Sequence, residues 1–148
     1  MKVIADNGEV KVLKIVAAPH TGRTINTAMA EGQIEESVVQ HIGYAFYEKL
    51  VLENGRELND GFLDYKIPNI GDIPEIETIL IETVGPHGPL GAKGIGEPGL
   101  VSTAAAIVNA IYNASGIRMQ ELPIPHEFIL NDLKNKKSKE EADTPDYN

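Results

Sequence analysis

Residues 85–99 read GPHGPLGAKGIGEPG and run directly into LVSTAAAIVNAIYNA, residues 100–114. Six of the chain's 14 glycines and three of its nine prolines fall in the first stretch. No helix or strand survives that density, because glycine gives up the most backbone entropy on folding and proline removes a donor. The second stretch is rich in Ala, Val and Ile, with Ser102 or Thr103 as candidate N-cap and Gly116 as a stop, and predicts a buried helix over 100–114. A glycine-rich loop feeding a helix N-terminus gathers close-approaching backbone N–H groups and a partial positive charge, which suits an anion or a bulky polar cofactor. It is neither a P-loop, since the terminal Gly-Lys-Ser/Thr is missing, nor the dinucleotide fingerprint, whose glycines follow a first strand. A plain irregular connection is the competing reading.

Upstream, the apolar positions Ile34, Val38, Ile42 and Ala45, flanked by Val39, Phe46 and Leu50, keep helical spacing and predict a helix from Ile34 to about Leu50. Asn7-Gly8 and Asn54-Gly55 each separate β-prone runs, and a type I′ turn needs positive φ at both central residues, so two hairpins are expected. EIETILIETV, residues 75–84, alternates Ile76, Leu80 and Val84 against Ile79 and Ile81 as a largely buried strand would. A last helix is expected to open at Pro125 and lead to KNKKSKEEADTPDYN, where four lysines balance four acidic residues and a mobile tail is expected. The fold class is therefore α+β, with hairpins and a mixed sheet packed against two main helices. One domain spans 1–133 and the charged tail 134–148.

At 148 residues, with 42% hydrophobic and 24% charged residues, the chain is an ordinary globular domain rather than a multidomain enzyme. A net charge of −9 repels phosphate backbones and anionic lipids, which argues against nucleic acid and membrane surfaces as partners. The absence of cysteine excludes disulfides, zinc–thiolate sites, iron–sulfur ligation and a thiol nucleophile within the chain. Charges at Lys2, Asp6, Glu9, Lys11 and Lys14 leave no apolar stretch for a signal peptide or spanning helix near the start, so a cytoplasmic location is expected. His20, His41, His87 and His126 have no ligand spacing, and no side-chain metal site is expected.

Glu97 stands between Gly96 and Pro98, where neither helix nor strand explains a carboxylate. It is a candidate general base aimed by a stiff backbone, or a helix-start charge that stabilises the dipole by about 0.3–1 kcal/mol. Gln40, beside Val39, is either a surface glutamine or an amide for a cofactor.

EGQIEESVVQHIGYAFYEKL, then GFLDYKIPNIGDIPEI, then GPLGAKGIGEPGLVSTAAAIVNAIYNASGIRMQELPI, taken together from about Glu9 to Leu130, resemble the C-terminal region of the molybdopterin-binding subunit of xanthine dehydrogenases and aldehyde oxidases. The resemblance implies that Glu97 is the base during hydroxylation of an electron-poor carbon of a purine, aldehyde or N-heterocycle. It implies that Gln40 lies near the pterin, that Gly94 and Gly96 let the backbone approach it, and that the pterin dithiolene holds the molybdenum. FAD and iron–sulfur clusters are then expected only on partner subunits. The pattern departs from the family where Glu36, Ser37 and His41 replace glycines, where His20 replaces an aspartate, and where Gly99 replaces a second proline. Because such a molybdenum site is built between several domains, the isolated chain is expected to be inactive and to serve as a subunit or fragment of a larger complex. A non-catalytic assembly scaffold and a module gripping an unrelated anion are the rival readings.

Overall fold

The computed structural model describes residues 2–6 and 9–142. Strand β1 (Lys2–Asp6) pairs antiparallel with β2 (Glu9–Ala17), which pairs parallel with β5 (Glu75–Thr78), giving a mixed three-stranded sheet of order β1-β2-β5. The first hairpin is thus present, although Asn7 and Gly8, the expected turn residues, lie outside the described residues. The second is the short ladder of β3 (Leu52–Glu53) with β4 (Arg56–Glu57), closed by Asn54 at φ 50° and Gly55 at φ 79°, both in the left-handed region that a type I′ turn requires.

Helix α1 (Thr27–Phe46) starts seven residues before the expected Ile34, because the Asn26 side chain accepts from Met29 N at 3.1 Å and satisfies one of the helix's orphan donors. It stops short of Leu50 where Gly43 O accepts from both Tyr47 N and Glu48 N. Helix α2 (Pro98–Ser115) also starts earlier than expected. Neither Ser102 nor Thr103 caps it: Thr103 is buried and donates back to Gly99 O at 2.7 Å, while Pro98, whose ring presets helical φ, opens the first turn. Gly116 stops it as expected, at φ 70° with its N–H on Tyr112 O. Helix α3 (His126–Ala142) follows Pro125 and runs beyond residue 134, where the tail was expected to begin.

The core gathers Val12 and Ile15 of β2, Val38, Ile42 and Ala45 of α1, Ile107 and Ile111 of α2, and Ile129 of α3, with Ile117, Met119 and Ile124 from the connection between the last two helices. Both main helices lie against the sheet and against each other. The expected ten-residue buried strand shrinks to β5, with Ile79, Ile81 and Val84 exposed at 47%, 44% and 79%. Past Ala17 the partner strand meets Pro19, which has no N–H to give. The two segments continue side by side through the backbone bonds Ile79 N to Ala17 O, Ile81 N to Pro19 O and Thr21 N to Ile81 O, at 2.8–3.0 Å. This thin ribbon delivers the chain to the glycine-rich loop. None of the described helices is long and apolar enough to cross a membrane.

Candidate functional site

The loop is tied down at two places and open between them. At its first half, Gly22 and Ala92 form an antiparallel bridge: Arg23 N donates to Gly91 O at 2.9 Å and Lys93 N to Thr21 O at 3.2 Å. Gly22 sits at φ 67°, and a Cβ there would lie 2.7 Å from Gly91 O, so only glycine fits. At the second half, Gln33 Nε2 of α1 donates to Gly96 O at 3.3 Å and to Glu36 Oε2 at 3.1 Å.

Gly94 and Gly96 stand beside and between these anchors. Neither has positive φ, and a Cβ added to either would meet nothing within 4 Å. Nothing in the chain's own conformation or packing requires glycine at these positions. Thr21, Arg23, Ile25, Met29, Gln33, Lys93, Ile95 and Gly96 border a groove of about 320 Å3 on this side.

Glu97 is exposed and occupies the N-cap position of α2, at φ −118° and ψ −8°. Its carbonyl accepts from Leu100 N at 2.9 Å, but its carboxylate makes no capping hydrogen bond. The helix does not use the side chain as a hydrogen-bonding cap. Gln40 is exposed two turns along α1 from Gln33 and donates to the Tyr44 hydroxyl at 3.2 Å rather than to the loop. Gln33, Ser37, Gln40 and Tyr44 follow at spacings of four, three and four, which puts all four on one helix face. The contact with the loop falls to Gln33 and Ser37, which the sequence reading missed. The signal was this polar stripe beside an apolar one.

Two departures from the family pattern meet in one contact. Ser37 is 1% exposed, and a Cβ on Gly99 would lie 2.8 Å from Ser37 Cβ, so the larger residue on α1 faces the smaller one on α2. A proline at 99 does not fit beside Ser37. His41 is half-buried, its ring tilted on Tyr44 at 5.4 Å, and its Nδ1 is buried without a hydrogen-bond partner; burial pushes its pKa down. His20 links the loop to the ribbon through Lys93 and Thr83. Lys93 Nζ can only donate, so His20 Nδ1 is the acceptor of that bond. Glu82 accepts from Thr24 N at 2.7 Å, and its bonds to Thr24, with Arg23 nearby, hold its carboxyl below the usual range.

Among the described residues no group of three or more His, Cys, Asp or Glu side chains converges to hold a metal ion. The open backbone at Gly94 and Gly96 fits a large group approaching from outside, beside a carboxylate the fold leaves unengaged.

Residues 1–74 match the molybdopterin cofactor-binding domain family. The aldehyde oxidoreductase molybdenum-binding subunit PaoC of Escherichia coli K12 is 36% identical over 129 residues, covering 85% of this chain and 18% of that protein. The nicotine 6-hydroxylase large subunit of Paenarthrobacter nicotinovorans is 38% identical over 131 residues, covering 86% and 16%. The solved structure of the aldehyde oxidoreductase from Desulfovibrio gigas superposes with a TM-score of 0.78 at 32% identity, covering 86% of this chain and 14% of that one. The chain thus spans less than a fifth of the length of these relatives. With half of its length matched by the family and its fold shared with these large subunits, the chain belongs to the molybdopterin-binding regions of the xanthine dehydrogenase and aldehyde oxidase family.

Proposed function

We propose that the chain contributes one wall of the molybdopterin site of a molybdenum hydroxylase, and that Glu97 is the base of the reaction. The observation that carries this reading is that Gly94 and Gly96 have neither a conformational nor an internal steric reason to be glycine, yet flank a carboxylate that its own helix leaves unengaged. Bound molybdopterin supplies the metal and the two-electron redox chemistry of the hydroxylation. The chain's own part is geometric and protonic. Gly94 and Gly96 admit the cofactor to the backbone, Gln40 and the neighbouring Gln33 offer amides on the facing helix stripe, and a Glu97 oxygen takes the proton released as the new C–O bond forms. Pro98 stiffens the backbone beside that carboxylate.

Glu97 is exposed in this chain, so the walls that exclude water come from the rest of the subunit, as do the walls that select an aldehyde, a purine or an N-heterocycle. With no cysteine in the chain, iron–sulfur ligands belong to partners, as does the flavin.

The test is Glu97→Gln in the complex assembled with the remaining polypeptides. Gln keeps the size and hydrogen bonding but accepts no proton, so turnover falls by about 10²–10⁴-fold while molybdenum content stays. Normal turnover, or cofactor lost in proportion to activity, refutes the assignment. Assembly and cofactor uptake that proceed equally well with Gly94→Ala, Gly96→Ala and Glu97→Ala together identify the chain as a scaffold instead.

A further inference from the structure

We propose that Ser37 and Gly99 form a matched contact that positions Glu97, Ser37 being a positioning residue and not a catalytic one. What Glu97 does once positioned rests on the reading above, but the contact itself does not. Ser37 is buried on α1, and its hydroxyl donates to Gln33 O at 2.7 Å and, at the longer distance of 3.4 Å, to Gly96 O. The shorter bond keeps the hydroxyl mainly within the helix, and what Ser37 presents to Gly99 is the shape of its Cβ. Gly99 is buried against that Cβ: a Cβ added to it would lie 2.8 Å from Ser37 Cβ and 3.1 Å from Ile34 O, so there is no room for a side chain. Real Cβ atoms are not found as close as the first of these distances.

Within α2 itself, the buried Thr103 Oγ1 donates back to Gly99 O at 2.7 Å, which ties Gly99 to the next turn of its own helix. Gly99 is two residues after Glu97, and Gly96, one residue before it, is tethered through its carbonyl to Gln33 on the same helix. Glu97 and Pro98 thus bridge two points fixed on α1 within one turn of each other, and the proline ring removes most of the remaining backbone freedom. Only the Glu97 side-chain torsions are left to choose. Any residue larger than glycine at 99 has to lift the first turn of α2 from α1 and carry Glu97 with it, unless position 37 shrinks to compensate.

The experiment uses the full chain, with amide hydrogen exchange over residues 94–100 and the Glu97 backbone amide resonance as local readouts. Gly99→Ala is expected to speed exchange across 94–100 about tenfold and to shift the Glu97 resonance, and adding Ser37→Gly is expected to bring both back, exchange to within about twofold. If Gly99→Ala alone does not fold, recovery of the folded chain in the double variant is the same result. Ser37→Ala, which keeps the Cβ, is expected to leave Glu97 where it is. The proposal is overturned if Gly99→Ala leaves the loop unchanged, if the double variant is no better than the single, or if Ser37→Ala moves Glu97 as Gly99→Ala does. In the assembled enzyme the same pair is expected to lower and then restore kcat at constant molybdenum content. Rescue of the loop together with a fully active Glu97→Gln complex upholds the matched contact and refutes the base.

Discussion

Gly22→Ala is the substitution that asks most directly whether the glycine-rich loop is held by the segment that follows β2. At φ 67° an alanine pays the left-handed penalty, roughly 1 kcal/mol or somewhat more. Its Cβ also arrives 2.7 Å from Gly91 O and 2.9 Å from Lys93 N and Cγ. Gly91 O has little freedom to retreat, since it accepts from both Arg23 N at 2.9 Å and Gly85 N at 2.8 Å. Relief therefore costs one or two of the backbone bonds that close the bridge, at about 0.5–1.5 kcal/mol each. The sum is about 2–4 kcal/mol, a large part of a typical domain's stability. Urea denaturation followed by circular dichroism reads the total, and hydrogen exchange over 85–97 reads whether the loss is local. Gly55→Ala is the control: its φ is 79° but nothing lies within 4 Å of the added Cβ, so only the conformational penalty remains. If Gly22→Ala is no more destabilising than Gly55→Ala and exchange of the loop is unchanged, the loop is not anchored through this bridge.

Gly94→Ala and Gly96→Ala are expected to leave the isolated chain as stable as before, or more stable by about 0.4–1 kcal/mol, while lowering molybdenum content in the assembled enzyme; thermal melts and metal analysis check the two halves. His20→Asp is expected to replace the bond from Lys93 by an exposed ion pair, changing stability by no more than about 1 kcal/mol and making it salt-dependent. Denaturation at low and high salt measures this. His41, whose pKa burial lowers, makes stability pH-dependent: the unfolded chain protonates first as pH falls through the ordinary imidazole range near 6.5, so the contribution is full above that range and declines below it. His41→Phe is expected to flatten that part of the stability profile, and an unchanged slope would show that another group sets it.

How much of this was legible in the sequence depended on how local the cause was. Asn54-Gly55 and Gly116 were readable because positive φ is a property of the residue itself. The start of α1 was not, because its signal is one capping side chain at Asn26, ahead of the first strongly apolar position of the stripe. Glu97, Gly94 and Gly96 drew attention because a glycine-dense loop has no helical or strand periodicity to explain it. The partners of that loop were easy to pass over for the opposite reason. Gln33 and Ser37 lie 63 and 59 residues before Gly96, inside a helix whose spacing is fully accounted for by packing.

Ile79, Ile81 and Val84 have the apolar character of a buried strand, yet the sheet offers them only one neighbour and leaves them exposed. Ile25 and Met29, exposed at 63% and 74%, border the groove beside Lys93 and Gly96. Apolar side chains gathered around an otherwise open loop mark a surface suited to packing against another one. On the proposed reading, the more than four-fifths of the relatives' length that lies outside this chain covers that surface and closes the site. The sequence pattern then reports burial in the whole assembly, whereas the chain alone displays the face on which the rest is built.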